Sequence, residues 1–289
     1  MEIGIFAPVT SWHSAAYLKA LGPEVEARGY DSIWIPEHVV LFDEYSSSYP
    51  YSDDGKIPAP PEAGMAEPFT TLTYLAAVTE TVRLGTGICL LPQRNPVYTA
   101  KVVSDLDWLS GGRVDLGIGV GWLEEEFDAL NVPWPQRGKR TDDYIQVMKS
   151  LWVDDVSSFD GEVYPLRECR MYPKPVQDPH PPIHVGGESD AALRRVARHA
   201  QGWYGFNRTP DQVGERLETL EKFLAEEGRS RADVQVSICP YFHGLTPEMV
   251  DGYRALGVDR VIALVIAVSP DDVPTALDAL DSCLAAAKA

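Results

Sequence analysis

Eight short apolar runs alternate with longer segments of helical periodicity along the 289 residues of this chain. The runs are Glu2–Ala7, Asp31–Pro36, Val82–Leu90, Arg113–Gly119, Ile183–Gly187, Gly202–Phe206, Val234–Ile238 and Asp259–Ile266. They lack strict two-residue alternation, as strands buried on both faces do. Helix signals fill the gaps: Ser14 as a cap, Arg28-Gly29 as a stop, Asn95-Pro96 as a start, Gly111-Gly112 as a stop. Eight right-handed βα units in one domain predict a single (β/α)8 TIM barrel over 1–289. A doubly wound sheet would need a phosphate fingerprint, and GIGVGW lacks one, because Trp122 stands where the third glycine belongs.

Two irregular stretches interrupt the alternation, giving insertions after strands two and four. Leu41–Pro68 is rich in Pro, Ser, Tyr, Gly and Asp and is expected to be a lid or insertion loop. Asp154–Pro182 holds several prolines and a predicted short hairpin near Tyr164 and Met171. The final segment, Pro270–Ala287, reads as one helix.

Strands three and four are crowded with glycine: Gly85 and Gly87 in one, Gly117, Gly119 and Gly121 in or just after the other. Glycine inside a strand marks a close approach to the backbone, so these two strands are expected to form the floor for a flat ligand. In a barrel the site lies at the C-terminal ends of the strands, and the candidates collect there. Glu37 and His38 follow strand two, and the pair is expected to position a proton or a hydride acceptor. Gly87-Ile88 ends strand three, and Gly119, Val120, Gly121 and Trp122 follow strand four. Gly186-Gly187-Glu188-Ser189 leads into a helix whose amide groups suit a phosphate, with Asn207 and Arg208 beside it after strand six. Trp122 and Trp12 are expected to wall a ring pocket. Of the acidic run Glu124-Glu125-Glu126, Glu125 is the one expected to face the pocket, and Arg137, Lys139 and Arg140 are expected to pair with nearby acids.

A net charge of −18 with no basic cluster argues against nucleic acid and anionic membranes as partners. No apolar run approaches the ~20 residues of a membrane span. The first residues lack a signal-peptide pattern, so a cytoplasmic protein is expected. Four scattered cysteines read as free thiols. The histidines other than His38 show no ligand spacing, and no metal site is assigned. Flat walls, a phosphate end and few strong acids or bases suit a bound redox ring that carries the chemistry.

LGTGICLLPQRNPVYTAK, LSGGRVDLGIGVGWLEEEF, QRGKRTDDYIQVMKSLW and PIHVGG resemble the bacterial luciferase-like flavin superfamily. Within it they most resemble actinobacterial oxidoreductases that use the deazaflavin coenzyme F-420. The resemblance runs from Met1 to about Ala267. It implies a luciferase-like barrel with the ring at the C-terminal face. It places the family's acid-plus-His pair at Glu37-His38 and its non-proline cis peptide, a bulge behind the ring, at Gly87-Ile88. Its phosphate contacts fall at Gly186, Gly187 and the helix start. Sugar-phosphate dehydrogenases of this family carry a catalytic glutamate after the strand-four glycines. Trp122 stands there, so phosphate-sugar specificity is not carried over.

Three functions follow as expectations. The first is hydride exchange between F-420 and a small organic substrate. The second is an FMN-dependent monooxygenase, fed reduced flavin by a separate reductase. The third is a barrel that binds a flavin or other ligand without turnover. A basic groove beyond Arg208 would favour the longer acidic tail of F-420 over FMN. The resemblance also implies a homodimer.

Overall fold

A computed structural model describes residues 1–289. In chain order the elements are β1 (Glu2–Phe6), α1 (Ala15–Ala27), β2 (Ser32–Ile35), α2 (Pro68–Ala76), β3 (Arg83–Thr86), β4 (Cys89–Leu90), α3 (Pro96–Ser110) and β5 (Val114–Gly119). Then come α4 (Glu124–Ala129), α5 (Arg137–Val153), β6 (Ser157–Phe159), β7 (Leu166–Cys169), β8 (Ile183–Gly186), α6 (Asp190–His199), β9 (Gly202–Phe206) and α7 (Pro210–Glu226). The chain ends with β10 (Gln235–Cys239), α8 (Pro247–Ala255), β11 (Arg260–Leu264), α9 (Val273–Asp278) and α10 (Asp281–Lys288). The sheet runs β3-β2-β1-β11-β10-β9-β8-β5, and β3 pairs again with β5, so eight parallel strands close on themselves. The chain is a (β/α)8 barrel.

Local chemistry explains most boundaries. Asn95 Oδ1 accepts from the amides of Val97 and Tyr98, and α3 stops where Gly111 turns left-handed at φ 70°. Ser189 caps α6 by accepting from Ala192 N. Ser14 stands at the start of α1 but makes no side-chain cap. The predicted third strand is broken: β3 ends at Thr86, the Gly87–Ile88 peptide is cis, and pairing resumes with β5 at Cys89 and Leu90. The expected terminal helix is two, α9 and α10, hinged at Ala279-Leu280. The hairpin is β6–β7, with Ser157 opposite Cys169, so its strands begin earlier than Tyr164 and end before Met171.

The interior of the barrel corrects the reading of the strand glycines. Trp34 of β2 is fully buried inside it, and its ring packs 5.2 Å from Tyr204 and 5.6 Å from His184. A Cβ on Gly85 would overlap the Trp34 indole, and one on Gly4 would meet Ser32 Oγ and lie 3.3 Å from Trp34 Nε1. A Cβ on Gly117 would collide with Thr86 O, and one on Gly119 with the Ile88 side chain. These glycines admit a tryptophan and the β3–β4 bulge. The ligand floor is what that packing leaves above them.

Below Trp34 lies a charged plug. Asp115 accepts from Arg83 Nε at 2.9 Å and from Arg260 Nη1 at 3.2 Å, and His184 Nε2 lies 3.7 Å away. Arg260 also reaches Glu2 Oε2 at 2.6 Å. Asp115, His184 and Arg260 are all buried. Burial works to raise the Asp115 pKa, but the His184, Arg260 and Arg83 contacts outweigh it and hold it well below the usual carboxylate range.

Candidate active site

A cavity of about 570 Å³ opens at the C-terminal ends of the strands. It is within the range of a cofactor-plus-substrate site. Of the expected residues, Glu37, His38, Gly87, Ile88, Gly119, Val120, Gly121, Trp122, Gly186, Gly187, Glu188, Ser189 and Arg208 all line it. Asn207 does not. Its side chain is spent on the fold, donating to Tyr51 O and accepting from Phe242 N, at a left-handed φ of 53°. Trp12 stands outside as well, exposed on the rim.

Glu37 and His38 face different partners. The Glu37 carboxylate accepts from Leu90 N at 2.5 Å and from Arg94 Nε at 2.8 Å, and Arg94 also reaches Glu67 at 2.6 Å. Glu37 therefore pins the strand that resumes after the cis peptide, and its charge is matched.

His38 Nδ1 lies 3.1 Å from Glu126 Oε2, and Trp122 Nε1 donates to His38 Nε2 at 3.3 Å. An indole N–H can only donate, so Nε2 is the acceptor and the ring proton sits on Nδ1, directed at Glu126. The tautomer is fixed by its neighbours. Glu126 is fully buried and also accepts from Val39 N at 2.6 Å and Gln93 Nε2 at 3.0 Å. Burial works to raise the Glu126 pKa, and these donors, His38 first, outweigh it and lower it.

Here the expectation fell on the wrong glutamate. Glu125 turns to the lid, accepting from Ser46 N at 2.6 Å, Ser46 Oγ at 2.9 Å and Ser47 N at 3.2 Å. The Glu124-Glu125-Glu126 run starts a helix, and each step along a helix turns the side chain by about 100°. Only the third residue reaches the interior. Leu123 and Phe127, both buried on either side, were the available signal.

The 41–68 segment lies over the cavity, contributing Tyr49, Pro50, Tyr51, Ile57 and Met65 to its wall. Tyr49 packs 5.1 Å from Trp122, and Tyr51 packs 4.9 Å from Phe206. Tyr51 OH donates to Glu188 Oε2 at 3.2 Å, and Phe206 N donates to Glu188 Oε1 at 2.7 Å. Burial raises the Glu188 pKa. Arg208 lies 3.9 Å from Glu188, which offsets its charge.

A second chamber of about 340 Å³ adjoins the first, sharing Gly119, Val120, Gly186, Gly187 and Ser189. The start of α6 forms one side and Arg137 the other. The first amides of a helix have no intrahelical partners and favour an anion. Arg137, expected to pair with an acid, instead stacks 3.6 Å over Trp134 and donates to Gly121 O at 3.4 Å. Its neighbours are matched, Lys139 to Glu162 and Arg195 to Asp142. Arg137 is thus the cation free to meet a ligand.

The barrel thus carries a cavity at its strand ends, an adjoining chamber at a helix start and a histidine whose ring proton faces Glu126. The profile of the luciferase-like monooxygenase family matches residues 1–244, and the chain belongs to that family. An uncharacterized protein of Mycobacterium tuberculosis is 35% identical over 241 residues, covering 83% of this chain and 79% of that one. An FMNH(2)-dependent dimethylsulfone monooxygenase of Pseudomonas putida is 35% identical over 144 residues, 49% of this chain and 39% of that one. The crystal structure of an F-420-dependent secondary alcohol dehydrogenase, in complex with an F-420–acetone adduct, superposes with a TM-score of 0.76. It is 17% identical, covering 99% of this chain and 98% of that one. No helix is long and apolar enough to cross a membrane.

Proposed function

We propose that this protein transfers a hydride between coenzyme F-420 and a small uncharged organic substrate, with His38 taking or giving the accompanying proton. The observation that carries this reading is the His38 tautomer. Glu126 holds the proton on Nδ1, and Nε2, on the cavity wall, carries the ring's one lone pair, which accepts from Trp122 Nε1 until a substrate hydroxyl takes the place of the indole. A base within reach of the reacting atoms is what alcohol–carbonyl interconversion requires.

The residues present fit a ring with a phosphate tail. The flat part would lie against the backbone of Gly87, Ile88, Gly119 and Val120, under the lid. The phosphate would meet Gly187, Ser189 and Arg137 in the second chamber. A bound deazaflavin supplies a carbon that accepts or gives a hydride. The protein's own work is to hold the substrate under Tyr49 and Tyr51, exclude water and move the proton at His38 Nε2.

One observation favours a second reading, an FMN-dependent monooxygenase supplied by a separate reductase. Arg137 is the one unmatched cation in the chamber, which suits a tail that ends at the phosphate. Titration of the purified protein with F-420 and with FMN, followed by absorbance and fluorescence, separates the two. Micromolar binding of F-420 supports the first reading. Binding of FMN alone overturns it, and binding of neither leaves a barrel that does not use a flavin. His38→Ala is expected to slow hydride transfer by ~10²-fold or more with cofactor affinity unchanged.

A further inference from the structure

Gly187 and Ser189 line both the main cavity and the second chamber, whereas Glu188, between them, lines only the main cavity. Three successive residues thus present backbone to the chamber and a carboxylate to the lid. Both oxygens of that carboxylate are taken. Oε1 accepts from Phe206 N at 2.7 Å, and Oε2 accepts from Tyr51 OH at 3.2 Å. The first bond ties Glu188 to the end of β9. The second ties it to the lid, 137 positions away in the chain.

We propose that Glu188 is a positioning residue that couples the two chambers: an anion held at Gly187 and Ser189 fixes Glu188, and Glu188 then holds the lid shut through Tyr51. This rests on the placement of the cofactor phosphate given above. The coupling comes from ordering. Tyr51 bonds Glu188 only while 187–189 keeps one conformation, and Gly187, at φ 108°, has no Cβ to restrict it. An anion on that backbone supplies the restriction, so the lid bond costs less ordering once the chamber is filled. Linkage is reciprocal, so lid closure tightens the anion by the same factor. The lid thereby closes over a ring whose tail is seated, and the cavity excludes water only when loaded.

Tyr51 is placed to carry this signal. Its ring packs 4.9 Å from Phe206 and its carbonyl accepts from Asn207 Nδ2 at 3.3 Å, so the hydroxyl keeps its aim. Around it the lid folds back on itself. Gly55 O accepts from Tyr49 N at 2.8 Å, and Tyr45 OH accepts from Ile57 N at 2.8 Å. Ser46 and Ser47 are tied instead to Glu125, which lines neither chamber. The two ties are therefore separable.

Inorganic phosphate is the probe, because it is small enough to occupy the chamber alone. It is titrated into the full chain against chloride at equal ionic strength. Binding is followed by ³¹P line width, and the chamber's share is the part lost in Arg137→Ala. Saturating phosphate is expected to slow amide exchange at Tyr49 and Ile57 about fivefold, the low end for linked sites, and to leave Ser46 and Ser47 unchanged. Tyr51→Phe keeps the ring and removes the bond to Glu188. It is expected to abolish that slowing and to weaken phosphate by the same factor, although Tyr51 does not line the chamber. Bound phosphate with Tyr49 and Ile57 exchange unchanged, equal slowing at Ser46 and Ser47, or undiminished affinity in Tyr51→Phe overturns the coupling and leaves the cofactor reading standing. The wild-type exchange comparison decides the matter even if the variant fails to fold. No phosphate held at Arg137 overturns the placement of the tail, and the coupling with it.

Discussion

Glu126 Oε2 lies 3.1 Å from His38 Nδ1, although the two residues are 88 positions apart in the chain. This contact decides which ring nitrogen faces the cavity. In Glu126→Gln the amide N–H₂ group competes with the two donors now aimed at Oε2, His38 Nδ1 and Gln93 Nε2. His38 is then expected to shift its proton to Nε2, and the Trp122 bond to break. Imidazole ¹⁵N shifts report the tautomer. Hydride transfer is expected to fall by ~10–100-fold with the cofactor still bound. An unchanged tautomer would remove Glu126 from its positioning role.

Asp115 predicts the acid limb of stability. Its folded pKa is depressed, so its contribution is full above the unfolded value near ~3.9 and is lost as pH falls through the lower folded value. Asp115→Ala leaves Arg260 buried beside Trp34 with only Glu2 as its partner. A loss of about 3–5 kcal/mol is expected in urea unfolding at neutral pH, with a flatter acid limb.

The glycines divide into two kinds with opposite expected outcomes. Gly85→Ala drives a methyl into the Trp34 indole and is expected to cost at least ~1–3 kcal/mol. Gly187→Ala meets only Ala192 Cβ at 3.4 Å, but at φ 108° the backbone itself is strained. Its expected cost is of order 1–3 kcal/mol, with an added loss of cofactor affinity that Gly85→Ala does not show. Thermal unfolding and cofactor titration of both variants check the split.

Glu125 ties the lid from outside. The Ser47 and Ser46 donors hold its carboxyl at about 2 against the opposing effect of burial. Because that value is depressed, the tie is complete above the ordinary value near ~4.3 and is lost only as pH falls toward 2. Glu125→Ala is expected to speed amide exchange at Ser46 and Ser47 by ~5–10-fold at neutral pH, with exchange in β1 and β11 unchanged.

Arg137→Ala is expected to weaken binding of a phosphate-bearing cofactor by ~10–100-fold, the worth of one charged hydrogen bond. Arg208→Ala is expected to do less, because Glu188 already offsets it. The salt dependence of cofactor binding is expected to decrease only in the first variant.

Strand and helix alternation made the barrel legible, because buried parallel strands and amphipathic helices differ in period. Glycine placement was legible as close approach, but not what approached: the Trp34 ring reaches Gly85 from a strand some fifty residues earlier. Thirteen of the expected residues line the cavity because strand ends in a barrel converge by construction. The roles of Glu125 and Glu126 were not separable, since adjacent acids at a helix start differ only in angle. Arg137 was hidden for a related reason. Whether a cation is matched depends on contacts across the fold, and Trp134 gives it a stacking partner without charge.

The Asp115 plug also orders events along the chain. Asp115 and Arg83 lie in the first half of the sequence, whereas His184 and Arg260 come far later. A nascent chain that stops before β11 holds that carboxylate with an incomplete set of counter-charges, and β1 without one of its two neighbours. The same strand that closes the sheet thus completes the charge balance beneath Trp34. The cavity stands on that floor, so the binding site exists only once the last strand has been made.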